Sequence, residues 1–315
     1  FANHSTGIYL VNLTFKNSTP KGGSQAESII MAGGKNILSH VTLSSLQDTL
    51  QINDSAYIGD SYIEGDVDFM WGRGPVYFDN CEVKALNRGY SPQIRNTNAN
   101  HGYVYNHCTF STAPGVTGMY ISRIAPSTYP YSEVVLLDCA LGPGINPVGW
   151  LLNSAPRGGT TADASTQAPN LHFREFNSTN IDDGKPANVS QRAAFSKQLT
   201  MADDAETIKN YRDPTYVLGW APAMAPIITV QPTVIASKAG ISELGVTAAA
   251  VPEPTYQWQH NGVALQDGGS ISGASTATLT IAGAPMGDAE NYTVVVTNPS
   301  GSVTSSPATL TISAP

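Results

Sequence analysis

The sequence predicts an all-β chain in two parts: a solenoid of stacked coils, then a small sandwich of short strands. The first observation behind this is a three-residue pattern that recurs through the front of the chain. It reads Leu-Thr-Phe at 13–15, Val-Thr-Leu at 41–43, Ser-Tyr-Ile at 61–63, Cys-Glu-Val at 81–83, Cys-Thr-Phe at 108–110 and Cys-Ala-Leu at 139–141, so its first positions are 28, 20, 20, 27 and 31 residues apart. A short strand returning at such intervals is how a solenoid reads, and each coil buries its inward face only against its neighbours. The second observation is composition: 41% hydrophobic, 13% charged, with 29 Gly and 21 Pro in 315 residues, which favours turns and strands over helices. The third is a change of character after a Pro- and Ala-rich linker at 221–226, beyond which short alternating segments follow one another.

Composition also excludes partners. The net charge is −8 with no basic block, which argues against nucleic acid and anionic membrane. An anionic polymer would have to be met by local arginines. No run of 18 apolar residues is present to span a membrane. Cys81, Cys108 and Cys139 all stand at the first position of the repeat, where inward thiols stacked in a ladder are expected, with a disulfide or metal site as the minor alternative. Six scattered His form no ligand set, and Asp182-Asp-Gly is too short for a calcium loop. No metal or cofactor is therefore expected. The chain opens at Phe1 almost directly into a coil, without an amphipathic cap. The expectation is that further coils, and any export signal, lie upstream.

The candidate chemistry lies in residues 46–72. Asp48 is seven residues after Val41, and Asp68 seven after Ser61, so the two carboxylates share one phase on adjacent coils. Stacked strands are about 4.8 Å apart. At about 5 Å and an effective dielectric of about 20, the repulsion is roughly 3 kcal/mol, or about two pKa units. One carboxyl should then stay protonated near neutrality, as an acid beside a nucleophile must. The competing reading is a turn aspartate bonding its own backbone, which Asp54, Asp60 and Asp66 fit better.

At these residues the chain resembles the pectin methylesterases. The Gln-Asp-Thr-Leu motif of that family stands at 47–50, and its Asp-Phe-aliphatic-aromatic-Gly motif at Asp68, Phe69, Met70, Trp71 and Gly72. Gln25-Ala26, Arg123 in Tyr-Ile-Ser-Arg, and Pro147-Val-Gly149-Trp150 match further motifs in order. The resemblance covers about residues 1–220. It implies a right-handed parallel β-helix of the pectin-lyase-like type over residues 1–222. It further implies that Asp68 attacks a galacturonate methyl ester, that Asp48 is acid and then base, that Gln25 and Gln47 donate to the oxyanion, and that Arg123 grips Asp68. Trp150, Phe69 and Trp71 are expected to bind substrate. The implied partner is methyl-esterified homogalacturonan, met by a secreted or cell-surface protein acting as a monomer. Leu46, Gln51 and Ala125 stand where the family commonly has aromatics, so three sugar platforms are missing. A β-helical pectin depolymerase, hydrolase or lyase, is an alternative, since two carboxylates about 5 Å apart also suit a retaining glycosidase. A non-catalytic carbohydrate-binding or adhesion protein is another.

The remaining elements follow in order. Residues 87–102, rich in Asn, Gly and Arg, read as a long loop walling a groove, with Arg88 and Arg95 available to uronate carboxylates or to solvent. Residues 156–166 read as a loop and 171–176 as a strand. Thr200 with Asp203 signals a helix cap, with a helix through about 210. In the second part, residues 223–315, strands are expected at 243–249, 255–260, 277–281, 292–297 and 308–312. Tyr256-Gln-Trp258-Gln resembles the third strand of an immunoglobulin-like sandwich, and residues 288–294 its tyrosine corner at Tyr292. Val246 and Val294 stand in for the usual cysteine pair. This module is expected to be a spacer or adhesion unit, with direct sugar binding as the lesser alternative.

Overall fold

The computed structural model describes residues 1–20, 23, 26–153, 170–238, 241–282 and 291–309. It divides into two compact units, residues 1–221 and 222–315.

The first unit is a parallel β-helix. Each coil contributes one strand to each of three parallel sheets, taken in turn as the chain winds. The first sheet runs Ala2–Asn3, Ile29–Met31, Leu50–Ile52, Met70–Gly72 and Pro92–Ile94. It is prolonged by Ser122–Ile124 and Trp150–Leu152 through a Tyr90–Tyr120 bridge. The second sheet includes Asn36–Ser39, Ala56–Gly59, Val76–Asp79, Tyr103–Asn106, Glu133–Leu137 and His172–Phe176. The third holds the recurring pattern itself, as Thr14–Lys16, Thr42–Ser44, Tyr62–Gly65, Glu82–Ala85, Thr109–Thr112 and Ala140–Leu141. The 87–102 segment is therefore not a plain loop. It carries Pro92–Ile94, because that coil too must supply a strand to the first sheet.

One residue turns each coil from the second sheet to the third. Asn12, His40, Asp60, Asn80, His107, Asp138 and Asn177 occupy this corner, all in the left-handed region with φ between 48° and 55°. Asn, Asp and His tolerate it best among residues that carry a Cβ. The corner side chains also bond along the stack: Asn80 Nδ2 donates to Asp60 Oδ1 at 2.7 Å, and Asn177 Nδ2 to Asp138 Oδ1 at 2.8 Å. Just after the corner, Cys81, Cys108 and Cys139 are buried free thiols, and the Cys81 N–H donates to Cys108 Sγ at 3.4 Å. The expected ladder of inward thiols is what the fold contains. Inside, rows such as Leu38, Ile58, Phe78, Tyr105 and Leu136, and Leu43, Ile63, Val83 and Phe110, form one continuous core.

Helices α1 (Met201–Arg212) and α2 (Pro214–Leu218) lie on the outer face of the second sheet. Thr200 caps α1, accepting from the Asp203 N–H at 3.2 Å, as the cap signal predicts. Tyr77 donates its hydroxyl to the Arg212 carbonyl at 2.9 Å, and Trp220 Nε1 donates to Ser55 Oγ at 3.0 Å.

The second unit is a sandwich of antiparallel sheets, immunoglobulin-like as expected. One sheet orders Met224–Lys238, Ile241–Val251, Thr278–Ala282 and Ile271–Ser272; the other orders Val263–Ala264, Thr255–His260, Asn291–Asn298 and Gly301–Thr304. Trp258 is 0% exposed between them, in a cluster that includes Val246 and Val294, and its Nε1 donates to the Thr276 carbonyl at 2.9 Å. The first strand starts at Met224, inside the expected linker, because Met224 is itself buried and pairs with Val251. The predicted loop at 156–166 and residues 288–290 of the predicted corner lie outside the described residues.

Candidate active site

The site forms where the third sheet turns into the first. Leu50 pairs with Met70, Gln51 with Trp71 and Ile52 with Gly72. Asp48 and Asp68, each two residues before its strand, are therefore neighbours in register. Both sit in the left-handed region, at φ 60° and 47°. Such a backbone costs a residue with a Cβ roughly 1 kcal/mol, and it recurs on adjacent coils, each time followed by a side chain that is fully buried, Thr49 and Phe69. Thr49 holds the turn by donating to the Glu64 carbonyl at 2.9 Å. Gly65 and Gly72 are there because a Cβ would meet Phe69 Cβ at 2.2 Å and the Ile52 carbonyl oxygen at 1.8 Å, respectively.

The same register extends both ways. Ile29 pairs with Leu50, which places Glu27 beside Asp48, and Tyr90 and Tyr120 continue the column beyond Asp68. Arg123, from the strand after Tyr120, reaches back across it. Its guanidinium lies 4.5 Å from the Tyr90 ring centre, and its Nε and Nη2 donate to Asp68 Oδ1, at 2.7 Å, and Oδ2. This is a two-pronged pairing, which fixes a carboxylate in one orientation. Tyr90 in turn stacks on Tyr120 at 5.8 Å.

Asp48 is 6% exposed. Burial, then the negative charges of Glu27 and Asp68, push its carboxyl up to about 6, against a smaller opposing pull from Arg95. Arg95 lies 4.4 Å over the Trp71 ring and bonds Gln93 Oε1 at 2.6 and 3.1 Å. The pair thus holds a carboxyl with a raised affinity for its proton beside one forked by a cation.

Of the residues singled out in the sequence, Asp48, Asp68, Arg123 and Trp71 come together at one edge of the first sheet, with Gln47 in the turn beside Asp48. Gln25 lies outside the described residues. Two expectations are corrected. Trp150 is 1% exposed and stacks on Phe173 at 5.3 Å, because it pairs with Ser122 at an inward phase of its strand. It cannot serve as a sugar platform. Phe69 is 0% exposed, packed under Gly65 in the core, and cannot touch substrate either. Trp71 points outward, but one face of its ring carries Arg95.

Sequence reasoning missed Glu27, Tyr90 and Tyr120. Counting seven residues on from Cys81 lands on the exposed Arg88, since that coil is longer than the two before it. Counting two residues back from each strand of the first sheet would have found all three.

The site thus sets paired carboxylates and an arginine on one sheet edge of a parallel β-helix. The chain belongs to the pectinesterase family, whose model matches residues 1–219, and an immunoglobulin domain model matches residues 225–298. It is 30% identical over 210 residues to Pectinesterase 2 of Olea europaea, covering 63% of this chain and 52% of that protein. To the pectinesterase of Ralstonia solanacearum it is 27% identical over 210 residues, covering 55% and 52%. The chain thus spans about half the length of these relatives. Its fold is similar to the pectin methylesterase from carrot, with TM-score 0.57 and 18% identity over 69% of this chain and 67% of that one. The pectin methylesterase from Aspergillus niger gives TM-score 0.55 at 23% identity, over 69% and 65%.

Proposed function

We propose that the chain hydrolyses the methyl esters of galacturonate units in pectin, releasing methanol. The observation that carries this reading is Asp68, forked by Arg123, next to Asp48 with its raised proton affinity.

In this mechanism Asp68 attacks the ester carbonyl carbon. Gln47, with Gln25, donates to the tetrahedral oxyanion, where one such donor is worth about 10² to 10³ in rate. As the intermediate collapses, the bond to methoxide breaks and Asp48 delivers its proton to the departing oxygen, leaving an acyl-aspartyl anhydride and methanol. Asp48, now ionised, takes a proton from water. The resulting hydroxide attacks the acyl carbon and frees the galacturonate carboxylate and Asp68. Arg123 keeps the Asp68 oxygens aimed throughout. Every residue named comes from one copy of the chain, so a monomer suffices. A cell-wall polymer as substrate places the working protein outside the cell, secreted or at the cell surface.

The test is methanol release from highly esterified pectin by the chain and by its Asp68→Asn variant. Loss of release by several orders of magnitude in the variant supports the reading. Near-normal release, or falling viscosity with new reducing ends and no methanol, overturns it.

A further inference from the structure

At the other edge of the first sheet, where coils turn into the second sheet, a cavity of about 490 Å³ opens between the 96–101 turn, the starts of Glu133–Leu137 and His172–Phe176, and the two helices. Its floor is the buried carboxylate of Glu133. That group accepts from His101 Nδ1 at 2.8 Å, His172 Nδ1 at 3.1 Å, the Tyr211 hydroxyl at 2.6 Å and the Gly102 N–H at 3.2 Å. Burial pushes Glu133 up, but these hydrogen bonds outweigh it and hold the carboxyl well below its usual range. An ionised carboxylate only accepts, so both imidazoles carry a proton on Nδ1 and turn Nε2 away from Glu133.

The acid is thus consumed internally, and the rest of the lining is mainly Arg174, aromatic and imidazole rings, and the Asn and Thr side chains of the 96–101 turn. Arg174 gives one bond, to the Tyr211 hydroxyl at 2.8 Å. A guanidinium has five N–H groups, and among the described residues no other hydrogen bond from that of Arg174 is made. The Asp204 carboxylate that feels its charge is itself paired with Lys197. At the rim, Tyr131 and Tyr216 are 38% and 46% exposed. Fastening the helices to the solenoid explains Glu133, His101, His172 and Tyr211. Arg174 joins that fastening through the Tyr211 hydroxyl and, at 5.4 Å from its centre, the Tyr211 ring, but this leaves most of its N–H groups unused in a cavity it lines together with Tyr131 and Tyr216. A planar cation meets a carboxylate through two parallel bonds, and an aromatic face takes the apolar face of a sugar.

We propose that this cavity is a second saccharide site, which takes a uronate unit of an acidic glycan with its carboxylate on Arg174 and its ring against Tyr131 or Tyr216. The cavity shares no lining residue with the Asp48–Asp68 column, and the turn at Asn96 is six residues along its coil from Tyr90 of that column. The inference concerns binding alone and stands apart from the esterase reading.

The test is an NMR titration of the ¹⁵N-labelled full chain with unesterified trigalacturonate, and with neutral galactotriose for comparison. Backbone amides at 131–133 and 172–174 are expected to shift with the acidic trisaccharide and not with the neutral one. Arg174→Gln should raise the dissociation constant read from those amides at least tenfold, and Tyr131→Ala severalfold. Asp68→Asn should leave these shifts in place. The proposal is overturned if those amides stay still at millimolar trigalacturonate, respond equally to both sugars, bind normally in Arg174→Gln, or fall silent in Asp68→Asn. Methanol release, measured in parallel, shows that the cavity variants are folded; its absence in the parent chain would sink the esterase reading and leave this one standing.

Discussion

Arg123 rests on the face of Tyr90, 4.5 Å from the ring centre and one coil back, while its two prongs hold Asp68 two coils back. Three consecutive coils are thereby pinned at one point, and the fork depends on the ring beneath it.

That dependence gives the first expectation. Tyr90→Phe keeps the ring and should release methanol at close to the parent rate. Tyr90→Ala removes a cation–π contact worth about 0.5–2 kcal/mol, and kcat should fall by roughly 2- to 30-fold. Equal rates for the two variants would mean that Tyr90 does not support the fork.

Arg123→Lys tests the fork itself. An ammonium keeps the charge but cannot make two parallel bonds, and a misplaced nucleophile costs about 10²-fold. The loss should appear in kcat more than in KM, measured on highly esterified pectin.

The pH profile should report Asp48. In the proposed mechanism acylation needs this carboxyl protonated, and its affinity sits at about 6. The rate constant kcat/KM should therefore fall about tenfold per pH unit above that value. Glu27 lies beside Asp48 and its charge raises the affinity, so Glu27→Gln should move the falling limb to lower pH. A limb that stays in place, or moves the other way, removes Glu27 from the site.

The same group bears on stability. A carboxyl whose affinity is raised by folding, from 3.8 to about 6, favours the unfolded state once pH exceeds the folded value, and the penalty disappears as pH falls below the unfolded one. Asp48→Asn should therefore stabilise the chain at pH 7.5, by up to about 3 kcal/mol, and change little at pH 3. Thermal unfolding at the two pH values checks the sign.

Phe69 and Trp150 belong to the core and not to the groove. Phe69→Ala should lower stability by about 3–5 kcal/mol, seen in denaturant unfolding, with an unchanged KM in whatever fraction remains folded. A raised KM at unchanged stability would return Phe69 to the substrate.

Much of this was legible beforehand because a solenoid writes its geometry into spacing. Asp48 and Asp68 could be paired by counting, since their coils are of equal length, and Trp258 and Thr200 announce themselves through local context. The inward turn of Phe69 could not be read, because it depends on left-handed backbone at Asp68 and on the missing Cβ of Gly65. Nor could the burial of Trp150, where alternation alone does not say which phase faces the core. Tyr90 escaped because its coil is longer, so that a count from the third sheet drifts off the column.

The side chains of the column are drawn from separate turns of the winding, with Glu27, Asp48, Asp68, Tyr90 and Arg123 each supplied by a different rung. No single rung holds a working fragment, and rungs are stable only through their neighbours. On the proposed mechanism, activity serves as a gauge of the middle storeys: peeling back any one of these rungs would silence the chemistry before the chain as a whole came apart.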